Sequence, residues 1–108
     1  MERLRQNKGF LCHACEARGK SLKHLLRYAT HDQLKTLSEI ALNILEGNVP
    51  LSERQKKKLA PYKNVVRLLA RKNVPLREKQ VAMQKGAGIL PLLASAVIPA
   101  LIELFRSR

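Results

Sequence analysis

Apolar residues recur at helical spacing along the middle of the chain. Leu22, Leu25, Leu26 and Ala29 stand three and four apart and predict a first short helix. Thr30-His31-Asp32-Gln33 fits a capping box, in which Thr30 accepts from the amide three residues on and Gln33 reaches back. The helix that follows places Leu34, Leu37, Ala41, Ile44 and Leu45 on one face, and Gly47 is expected as its left-handed C-cap. Asn48-Val49-Pro50-Leu51-Ser52 reads as a turn. Ser52 with Gln55 forms a second capping box, opening a helix through Leu59. Pro61 has no amide proton and is expected to kink or interrupt that helix. Beyond it, Tyr62, Val66, Leu69 and Ala70 continue the apolar stripe until Arg71-Lys72. Residues 1–20 show only weak periodicity and read as a basic, partly disordered arm.

Two features break this pattern. Asn48-Val49-Pro50-Leu51-Ser52-Glu53-Arg54-Gln55 recurs as Asn73-Val74-Pro75-Leu76-Arg77-Glu78-Lys79-Gln80, identical at six of eight positions with an offset of 25 residues. The repeat is either a duplicated helix-turn-helix unit or one turn chemistry used twice. Composition then changes abruptly at Gly86-Ala87-Gly88, and residues 86–102 carry no charge. That run of 17 residues sits at the lower edge of the ~20 needed to span a bilayer. Pro91 and Pro99 punctuate it, and kinks are expected there. Ile89, Leu90, Leu93, Val97, Ile98, Leu101, Ile102 and Phe105 are the expected membrane-inserting side chains, with Arg106 and Arg108 at the headgroups. The alternative is a buried core helix.

The pattern predicts an all-α protein: a small basic helical bundle of helix-turn-helix units with a separate apolar C-terminal helix. The arm covers 1–20, the basic domain 21–85 and the membrane-active segment 86–108.

Charge sharpens the picture. The chain of 108 residues carries 21 Lys and Arg against 8 Asp and Glu, a formal +13. Residues 52–85 hold 11 basic and 2 acidic side chains, so +9. A field of one sign on so small a body attracts polyanions. Arg54, Lys56, Lys57, Lys58, Lys63, Arg67, Arg71 and Lys72 are the candidate nucleic-acid-binding residues, with positions 56, 63 and 67 broadly on one side. Lysine is a point charge that contacts phosphate without reading bases, so binding is expected to ignore sequence.

Catalytic chemistry is not visible. Glu39, Glu46, Glu53 and Glu78 are scattered, and neither a Gly-rich phosphate loop nor a metal-binding acid cluster is present. The expectation is a non-enzyme without cofactor. Cys12-His13-Ala14-Cys15 has the spacing of half a zinc site, with His24 or His31 as further candidates, but no second pair completes it. The default is two reduced cysteines. No apolar h-region marks a secretory signal, so a reducing compartment is expected.

Resemblances add to these readings. Ala41-Leu42-Asn43-Ile44-Leu45-Glu46-Gly47-Asn48-Val49-Pro50-Leu51, then Gln55-Lys56-Lys57-Lys58-Leu59, then Gln84-Lys85-Gly86 ahead of the apolar end, are similar to small basic proteins of adintoviruses and Polinton (Maverick) elements. Gly88-Ile89-Leu90-Pro91-Leu92-Leu93 with Ile98-Pro99-Ala100-Leu101-Ile102 resembles melittin-type lytic peptides, from which Glu103 and the short basic terminus depart. Gln84-Lys85-Gly86-Ala87-Gly88 resembles the cleavage pattern of adenovirus-type cysteine proteases, with the cut between Ala87 and Gly88; otherwise it is a flexible hinge. These resemblances imply a virion-internal accessory protein, located in the virion and, during assembly, in the host nucleus or cytoplasm. Its body would bind nucleic acid or an acidic capsid protein surface, and its tail would disrupt membranes during entry. The alternatives are a sequence-independent nucleic-acid-packaging protein whose C-terminal helix is core, and a membrane-anchored adaptor.

Overall fold

Local hydrogen bonding sets most of the helix boundaries. The computed structural model describes the backbone of residues 2–86 and 88–106, and the side chains of residues 3–86 and 88–99. It is all-α: α1 (Glu2–Gln6), α2 (Lys8–Glu16), α3 (Gly19–Arg27), α4 (His31–Leu45), α5 (Glu53–Leu59), a 3-10 turn (Ala60–Tyr62), α6 (Lys63–Ala70), α7 (Leu76–Lys85) and α8 (Ile89–Arg106). No strand occurs among the described residues.

Both expected capping boxes form. Thr30 Oγ1 accepts from the Gln33 amide at 3.1 Å, and Gln33 Oε1 accepts from the Thr30 amide at 2.9 Å. Ser52 and Gln55 repeat this at 3.2 and 2.9 Å. Gly47 takes φ 78°, and the Gly47 and Asn48 amides donate back to the Ile44 and Asn43 carbonyls, a Schellman C-cap. Pro61 breaks the third expected helix, as its missing amide requires: α5 and α6 meet across the 3-10 turn.

The two repeat copies diverge locally. In the first, Ser52 caps α5 from outside. In the second, Pro75 is the N-cap residue and no side chain caps it, so Arg77, the counterpart of Ser52, is already inside α7. Without a capping hydroxyl, α7 starts two residues earlier in the repeat.

The core differs from the expected arm, body and tail. Residues 1–20 are not a frayed arm over their described part: α1 and α2 are helical, and Leu4, Leu11, Ala14 and Ala17 are buried. Arg3 ties α1 to α4 through Asp32 and Glu39, and Asn7 Nδ2 donates to Asp32 at 2.8 Å. The C-terminal helix is not separate. α8 packs along α2 and also touches α4 and α5. Ile89, Leu90, Leu93 and Val97 are at most 1% exposed. A helix that is apolar on every side belongs at the centre of a bundle, with amphipathic helices wrapped around it. Burying four such side chains is worth ~6–12 kcal/mol, comparable to the whole net stability of a small domain.

Neither proline ends the helix. Pro91 lies in the first turn of α8, where the missing amide has no partner to lose, and Pro99 lies within a helix that continues to Arg106. The chain instead turns before α8, where the axes of α7 and the first part of α8 differ by 106°. Gly88 belongs there because an added Cβ would stand 2.5 Å from the Tyr62 hydroxyl. Gln80 Nε2 donates to the Leu26 and Arg27 carbonyls at 2.7 and 3.2 Å, closing the C-terminus of α3 onto α7. The radius of gyration is 12.8 Å, close to the ~13 Å of a compact chain of about 100 residues.

Candidate nucleic-acid interface

The basic residues of α5 and α6 are held outward by the apolar face beneath them. Leu59, Val66 and Leu69 are buried and Tyr62 is half-buried, as the periodicity predicts. Arg54, Lys56, Lys57, Lys58, Lys63, Arg67, Arg71 and Lys72 are all exposed. Of these, Lys56 faces Glu53 across 3.5 Å, a loose surface pair worth little. Most of the positive field therefore faces solvent.

These residues do not form one stripe. Lys56 and Lys63 flank an apolar groove of about 190 Å³ between the end of α4 and α5–α6, with Ile44, Leu45, Leu51 and Val66 in its walls. Leu45, expected inside, is 48% exposed at this groove. Arg54 and Lys58 lie on the other flank of α5, in a cavity of about 580 Å³ closed on its far side by Leu92 and Ser95 of α8. The split follows from helix geometry: positions 54 and 58 share a face, and position 56 is turned far from both.

One candidate contact is missed by the periodicity. Tyr28 is 64% exposed, its ring 4.6 Å from that of His24 and 5.8 Å from the Arg27 guanidinium. An exposed ring beside a guanidinium can stack on a base. The available signal was its position off the Leu22–Leu25–Leu26–Ala29 stripe.

Cys12 is exposed and Cys15 half-buried, both as free thiols. His13 and His24 line one cavity with Lys20 and Ser21. Among the described residues no group of three or more His, Cys, Asp or Glu is placed to hold a metal ion.

The segments expected to act on membranes and proteases are placed differently. Ile89, Leu90, Leu93 and Val97 point into the core, and Ile98 is half-buried against it. The side chains of Leu101, Ile102 and Phe105 lie outside the described residues, as does Ala87. Among the described residues no single helix is long and apolar enough to cross a membrane. Gln84 and Lys85 are in the last turn of α7 and Gly86 is its C-cap, so a protease needing an extended substrate must first unwind that turn. No family model, curated protein or solved structure matches the chain.

Proposed function

We propose that this is a non-enzymatic protein that binds nucleic acid through charge, without sequence preference, as a packaging component inside a virion. The exposure of all eight basic side chains from Arg54 to Lys72 over an apolar support carries the reading. Their types suit phosphate contact, and no ladder of base-reading Asn or Gln accompanies them. The virion setting rests on the likeness to adintovirus and Polinton proteins. Binding to duplex DNA should weaken with salt at a log–log slope of about −0.9 per phosphate neutralised. Replacing Lys56, Lys57 and Lys58 by Gln should flatten that slope and weaken all sequences alike. Affinity independent of salt, or strongly tied to one sequence, would refute the reading.

A second reading is supported by the all-round apolar character of α8. The helix is stored in the core and acts on membranes only after release from the body. On this reading the full chain leaves dye-loaded anionic liposomes intact, and the free peptide 88–108 makes them leak. A peptide that causes no leakage leaves α8 with a structural role only.

A further inference from the structure

The cavity between α5 and α8 has a chemistry that nucleic-acid binding does not use. Ser52, Arg54, Gln55, Lys58, Leu59, Leu92 and Ser95 line about 580 Å³, within the ~300–1,000 Å³ typical of small-molecule sites. A phosphate on a duplex backbone needs no cavity of that size.

The capping box decides the polarity of the lining. Ser52 Oγ accepts from the Gln55 amide, and Gln55 Oε1 accepts from the Ser52 amide. With those acceptors occupied, the Ser52 hydroxyl proton and the Gln55 side-chain N–H groups remain to donate. The Arg54 guanidinium and Lys58 ammonium, one helical turn apart, add further donors and two positive charges. The described lining holds no carboxylate. Ser95 donates to the Leu92 carbonyl at 3.1 Å, so its oxygen can still accept from a ligand hydroxyl. Leu59 and Leu92 supply an aliphatic floor, and no aromatic ring is present on which a base would stack.

Phosphate donors beside an acceptor for a hydroxyl, over an aliphatic floor, match a glycerophosphate group. We propose that this cavity binds the glycerophosphate headgroup of an anionic phospholipid, bridging α5 to α8. Arg54 and Lys58 are also among the eight basic residues of the nucleic-acid reading, and the test below tells the two ligands apart.

The test uses the full chain. Binding is measured to phosphatidylcholine vesicles with and without phosphatidylglycerol, and melting is followed with glycerol 3-phosphate as the soluble probe. The double variant Arg54→Gln/Lys58→Gln should bind phosphatidylglycerol vesicles about tenfold or more weaker, through loss of two charge-assisted hydrogen bonds. It should also lose the thermal stabilisation that glycerol 3-phosphate gives the unaltered chain. Lys23→Gln/Lys35→Gln removes the same charge from exposed positions on α3 and α4 and should keep that stabilisation and most of the vesicle affinity. Equal losses in the two double variants would reduce the effect to net charge and overturn the proposal. Absence of a glycerol 3-phosphate shift in the unaltered chain would overturn it too. If Arg54→Gln/Lys58→Gln weakens duplex DNA binding but leaves vesicle binding intact, the cavity belongs to the nucleic-acid face instead.

Discussion

At the scale of single residues, the two copies of one turn give opposite outcomes. Ser52→Ala removes the hydroxyl that accepts from the Gln55 amide and should cost ~0.5–2 kcal/mol. Arg77→Ser should give no matching gain, because Arg77 is inside α7 and a serine there has no cap position to fill. Thermal melts of both variants check this, and a stabilised Arg77→Ser would show that α7 begins later. Lys79 offers a second test. It is buried at 4% exposure, and desolvation lowers its pKa below 10.5. Between the folded and unfolded pKa values the unfolded chain binds more protons, so stability rises with pH through that window. Below the window the penalty is fully present. Lys79→Met should therefore melt higher than the unaltered chain at neutral pH, with a gap that shrinks as pH approaches 10.5. A gap constant with pH would mean that the ammonium is not penalised.

At the scale of elements, α2 and α8 act as one packing unit. Leu11 and Leu93 are fully buried, and each replacement by Ala should cost ~2–5 kcal/mol in denaturant unfolding. If residues 1–20 were an arm, Leu11→Ala would be silent. Leu93→Glu should unfold the body along with any membrane activity, so the half-buried Ile98 is the better place to separate the two. How legible each element was follows from how local its causes are. The Thr30 and Ser52 boxes, the Gly47 cap and the break at Pro61 depend on residues within a turn of one another, and sequence shows them directly. α2 was missed because, of its buried residues, only Leu11 is large; Ala14, and Ala17 at its C-cap, are too small to raise a strong periodic signal. α8 was misplaced because a bilayer and a bundle centre demand the same apolar surface, and only the helices around it distinguish them. The candidate interface was legible in its residues but not in its shape. The turn of α5 that parts Arg54 and Lys58 from Lys56 can be computed, but the neighbours α8 and α4 that make each flank a cavity cannot.

At the scale of the whole molecule, a formal +13 on 108 residues is self-repelling, and a core of limited size must hold it together. The fold answers by burying Ile89, Leu90, Leu93 and Val97 of its most apolar helix and setting its charge on the surrounding amphipathic helices. Both proposed activities depend on that arrangement, because the basic face is supported by the core to which α8 contributes and membrane permeabilisation must first withdraw α8 from it. Amide hydrogen exchange on the full chain in water tests this most directly. Amides of residues 92–98 should exchange only through global unfolding, at the free energy of the most protected amides in α4. Rapid exchange across 92–98 while α4 stays protected would show a detached tail and contradict the account.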